Sequence, residues 1–90
     1  MKIKSGFVLH TVGGEHVVVP VGKRTKEFSG MIRLNDTGAF LWQHMEGMFT
    51  ADSLTACLLS HYDVPEETAA ATVARFLQNM RAANLLESGD

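Results

Sequence analysis

Met31-Ile32-Arg33-Leu34-Asn35-Asp36-Thr37-Gly38-Ala39-Phe40-Leu41-Trp42 is the stretch on which the fold turns. Its first four residues alternate, Ile32 and Leu34 on one face and Met31 and Arg33 on the other, as a short strand with one buried face does. Its outer edge reads as open, a row of backbone groups that a further strand would pair with. Asn35 or Asp36 then changes the geometry, because a short side-chain oxygen there accepts a hydrogen bond from an otherwise orphaned helix N–H. A first helix follows from about Thr37 to Glu46. The junction therefore joins a sheet to a helical layer.

Upstream, β-branched residues from Phe7 to Pro20 flank Gly13-Gly14, and a glycine pair between two such runs predicts a hairpin, because the primed turns need positive φ. The simplest register sets Thr11 opposite His16 and Val12 opposite Glu15, which sends His10 and His16 to opposite faces. Val21 to Gly30 is polar, follows neither period and reads as a solvated loop.

Downstream, Gly47 suits a helix C-terminus and Thr50 caps a second helix, whose inner stripe is Leu54, Cys57, Leu58 and His61. Asp63-Val64-Pro65-Glu66 resembles a capping box that opens a third helix. The buried stripe of that helix is Ala69, Val73, Phe76, Leu77 and Met80, running to about Ala83, where Asn84 stops it and Leu85-Leu86 close the core. Three strands followed by three helices make an α+β class, and 90 residues make one domain, 1–90.

With 46% hydrophobic and 20% charged residues the composition is that of a globular chain. Eight Lys and Arg against ten Asp and Glu, net −2, lack the basic excess that phosphate neutralisation wants. No stretch approaches the roughly 20 apolar residues of a membrane span, and no export signal precedes the first strand. The one cysteine, Cys57, forms no internal disulfide and suits a reducing compartment, so the expected location is the cytoplasm.

Catalytic and metal chemistry find no constellation. His10, His16, His44 and His61 lack the i, i+4 spacing of a helical ligand pair and a neighbouring Cys ligand. Cys57 lies on an apolar stripe, where a cysteine packs rather than reacts. Gly22-Lys23 lacks the spacing of a phosphate loop. Glu66-Glu67 occupy a first helical turn, which favours acids whether or not a reaction occurs. Trp42 reads as a core anchor. No cofactor is implied.

The segment Leu34-Asn35-Asp36-Thr37-Gly38-Ala39-Phe40-Leu41-Trp42 resembles the Leu-Asn-x-Thr-Gly-x-x-[Ile/Leu]-Trp stretch of the PqqD family. Glu46-Gly47 before Thr50, Leu58 to Val64 and Val73 to Leu86 continue the resemblance, with Met80 where a Leu is usual. It implies a three-stranded antiparallel sheet followed by a three-helix winged-helix-like bundle. It also implies a RiPP recognition element, which binds the leader of a ribosomally made precursor peptide and presents it to a modifying enzyme, in PQQ biosynthesis a radical SAM protein.

By that resemblance the peptide pairs with the open third-strand edge and rests against the third helix. The expected contacts are Met31, Ile32, Arg33 and Leu34 on the strand and Thr72, Arg75, Phe76, Asn79 and Ala83 on the helix; strand alternation in this chain further sets Arg33 to meet an acidic leader residue beside the groove. Ile32, Leu34 and Phe76 equally suit a core, and Arg33 suits a guard against edge-to-edge pairing. The competing reading is a winged-helix DNA binder that uses Lys23, Arg24 and Lys26 as a basic wing, opposed by Glu66 and Glu67 beside Arg75 and Arg81. A third reading is a homodimer formed through exposed strand edges or exchanged hairpins.

Overall fold

The computed structural model describes residues 1–27 and 30–87. Strands β1 (Phe7–Val12) and β2 (Glu15–Pro20) form the predicted hairpin, with φ of 60° and 82° at Gly13 and Gly14. Thr11 lies opposite His16 and Val12 opposite Glu15, the register read from the glycine pair. β2 also pairs antiparallel with β3 (Ile32–Leu34), giving the order β1-β2-β3. Leu9, Val18 and Ile32 form one row across the inner face, and Val18 is fully buried there. Met31 falls outside the ladder, so the third strand is one residue shorter than predicted.

The segment read as a loop contains a single helical turn, α1 (Arg24–Glu27). The amide N–H groups of Arg24, Thr25 and Lys26 donate to the carbonyls of Val21, Gly22 and Lys23, and the Thr25 hydroxyl donates to Gly22 O at 2.7 Å. One turn is too short to display a period, so only its local bonds reveal it. Phe28 and Ser29, in the same predicted loop, lie outside the described residues.

Helix α2 (Asp36–Gln43) is capped by Asn35, whose Oδ1 accepts from Gly38 N–H at 2.7 Å, which settles the choice between Asn35 and Asp36. It stops before the predicted Glu46 because Met45 and Phe49, 1% and 4% exposed, must turn inward. Gly47 makes that turn at φ 66°. Leu41, rather than the half-buried Trp42, is the helix's fully buried anchor.

Helix α3 (Ala51–His61) begins at Thr50, which forms a reciprocal capping box with Ser53. Its buried line is Leu54 and Leu58; Cys57 is half-buried on the flank and His61 is exposed, stacked on Phe40 with centroids 4.5 Å apart. The predicted stripe was too wide because an i, i+4 pair already spans the contact with the last helix.

Helix α4 (Glu66–Ala82) buries all five predicted stripe residues and ends before Asn84 at φ 63°. The Asp63 capping box does not form; Pro65 takes the N-cap position without a side-chain bond. Proline disfavours helical backbone at the residue before it, so Val64 stays out of the helix and Asp63 lies too far back to reach the first turn. Leu85 and Leu86 complete the core. Lys4 N–H donates to Leu85 O and Glu87 N–H to Lys2 O, lacing the N-terminal segment over the end of the chain.

Paired substitutions check this assignment of caps. Asn35→Ala is expected to lower the unfolding free energy by about 1 kcal/mol. Asp63→Ala is expected to change it by less than about 0.5 kcal/mol. Matched urea titrations read both, and an equal loss at the two positions would reinstate an Asp63 cap.

Candidate functional site

β3 has three residues and pairs on one side with β2, and among the described residues its other side is an open edge. α4, with seventeen residues, passes beside that edge, and the two enclose a groove of about 520 Å³. Ile32, Arg33 and Leu34 form one wall. Thr72, Arg75, Phe76 and Asn79 form the other, because positions spaced three and four apart share a helix face. That face lies beside the buried stripe, and Phe76, 9% exposed, belongs to both. Leu41 and Met80, almost fully buried, reach up from the core to the floor.

The first turn of α2 closes the groove between these walls. Gly38 is the residue that lets it approach. A Cβ at Gly38 would lie 3.2 Å from Asn35 Oδ1, 3.3 Å from Leu34 Cβ and 3.3 Å from Phe76 Cε1, all tighter than ordinary packing. The hairpin is tied to the same turn through His16. Its Nε2 lies 2.9 Å from Asp36 Oδ1 and its Nδ1 2.8 Å from Thr11 Oγ1. A ring protonated at Nε2 donates to the carboxylate and accepts from the hydroxyl.

Seven of the nine residues named from the sequence thus meet in one groove. Met31 and Ala83 do not line it: Met31 precedes the strand and is 60% exposed, while Ala83 caps α4 and packs half-buried on the core. Asn35, Thr37, Gly38, Leu41 and Met80 also line it, though the sequence did not mark them as contacts. The Asn-x-Thr-Gly stretch carried the missing signal, since a cap immediately after an edge strand folds the first helical turn back beside that strand.

Other candidates disperse. His10 and His16 lie on opposite faces of the sheet, and among the described residues no three of His, Cys, Asp or Glu gather around a metal-sized space. Arg24, part of the supposed basic wing, points back into the fold: its Nε donates to Ser5 O at 2.8 Å and its guanidinium lies 5.9 Å from the Phe7 ring centroid. No helix among the described residues is long and apolar enough to cross a membrane.

Residues 15–86 match the family of coenzyme PQQ synthesis protein D. The chain belongs to the PqqD family. Two solved structures share its fold. One, TbiB1 in complex with the TbiA(beta) leader peptide, superposes with a TM-score of 0.78 at 20% identity and covers 100% of this chain and 99% of that one. The other, a lasso peptide synthetase B1 complexed with its leader peptide, gives 0.72 at 17% identity, with 93% of each chain covered. No curated protein sequence matches the chain.

In this PqqD-family chain, Gly38→Ala is expected to destabilise the fold by about 1 kcal/mol, crowding at the Phe76 ring outweighing the better helix propensity of alanine. Urea denaturation measures it. A variant as stable as the parent would mean that Phe76 withdraws freely and that Gly38 does not set the width of the groove.

Proposed function

We propose that this chain is a non-catalytic recognition module that binds the leader of a ribosomally made precursor peptide in the groove between β3 and α4. It presents that peptide to a modifying enzyme, a radical SAM maturase in the PQQ pathway or a related one. The observation that carries the reading is the unpaired β3 edge facing an apolar-floored groove. An extended peptide pairs its backbone with such an edge and lodges alternate side chains in the groove beside it. Family membership and two folds of the same shape solved with leader peptides support it.

Energetics assign the two parts of the groove different tasks. A three-residue strand supplies few backbone hydrogen bonds, each contributing a net of about 1 kcal/mol, too little to offset the ordering of a flexible peptide. The pairing therefore sets direction and register. Affinity must come from apolar side chains seated over Phe76, Leu41 and Met80.

A pull-down from the cells that make the chain, with mass spectrometry of the small-peptide fraction, is expected to recover a short precursor peptide. Its synthetic leader is expected to move the amide resonances of Ile32–Leu34 and of the Thr72–Asn79 face. Truncating the leader's groove-facing apolar side chains to Ala is expected to weaken binding by about tenfold or more. Unchanged affinity across that series, or recovery of nucleic acid without peptide, overturns the proposal.

A further inference from the structure

The groove carries a charge opposite in sign to that of the chain. The net charge is −2, yet Arg33 and Arg75 stand one on each wall, and no Asp or Glu is among the described residues that line the space between them. Both arginines are exposed, and among the described residues neither has an ion-pair or hydrogen-bond partner.

The chain withholds the usual neighbours. Helix positions three and four away from Arg75 are Ala71, Thr72, Gln78 and Asn79, so no acid reaches it along α4. Glu67 is eight positions back, about 12 Å along the axis. Across the ladder Arg33 faces Val17, and although Glu15 and Asp36 share a shallow hollow with it, neither carboxylate forms an ion pair with it. Asp36 instead pairs with His16. Two unpaired guanidiniums, Arg75 on the helix wall and Arg33 on the outer side of the strand wall, flank the apolar floor as a complement to carboxylates.

Resting on the peptide-binding reading above, we propose that the groove selects an extended segment in which acidic residues flank an aliphatic or aromatic anchor seated over Phe76. Strand geometry sets the spacing. A peptide added to β3 continues the sheet, so its side chains alternate between the groove and the outer face. Ile32 and Leu34 face inward and Arg33 outward. An acid one residue from the anchor therefore lies on the side of Arg33, and an acid two residues away, on the anchor's own side, lies toward Arg75 on the helix wall.

The test is selection of a displayed library of random peptides on the full chain, beside the charge-reversed double variant Arg33→Glu/Arg75→Glu. Both sites are exposed, so the variant is expected to unfold at the parent's urea midpoint, and the milder Arg33→Gln/Arg75→Gln repeats the test without repulsion. The parent is expected to enrich Asp and Glu within two positions of an apolar anchor. Charge reversal is expected to weaken those peptides by about tenfold or more and to enrich Lys and Arg instead. Selected peptides that shift the Ile32–Leu34 and α4 resonances without any acidic preference overturn the charge selection and leave peptide binding standing. A selection whose peptides do not shift those resonances overturns both.

Discussion

The hydrogen bond that Asn35 Oδ1 accepts from Gly38 N–H, 2.7 Å long, ends β3 and starts α2 at the same point. Everything at the site depends on that reversal. It brings the first turn of α2 back beside the strand it follows, and the absence of a side chain at Gly38 lets Leu34 and the Phe76 ring close around it. His16 fastens the hairpin to the same turn through Asp36. Sheet, helix α2 and helix α4 thus meet at one capped junction.

The groove follows from a mismatch in length. β3 contributes three residues, enough to pair with β2 but not to cover the face of a seventeen-residue helix. The core fills the space below with Leu41 and Met80, and nothing in the described chain fills the space above. An open edge is ordinarily a hazard, because it invites pairing with another copy. Here its shortness and the charge of Arg33 limit that hazard while leaving room for a short extended peptide.

The caps show how local rules compete. Thr50 and Ser53 satisfy each other as a capping box. Asp63 and Glu66 have matching chemistry and do not, because the intervening Pro65 keeps Val64 out of the helical region. The stop of α2 at Gln43 is a tertiary decision of the same kind: burying Met45 and Phe49 outweighs three more residues of helix.

The amino-acid pattern alone determined the hairpin and its register, through Gly13-Gly14, and the buried stripe of α4, through its 3.6-residue period. It also determined that a cap at Asn35 or Asp36 joins strand to helix, the structure choosing Asn35. These features depend on neighbours within a few residues, whose geometry the chain carries locally. Tertiary packing decided how α4 rotates against β3, and with it that Arg75 and Asn79 face the groove while Ala83 does not. It also decided that Cys57 and His61 leave the inner line of α3 and that Leu41, not Trp42, is the anchor. Those outcomes depend on contacts between elements far apart in the chain, and a periodic pattern states which face of a helix is apolar without stating what that face meets.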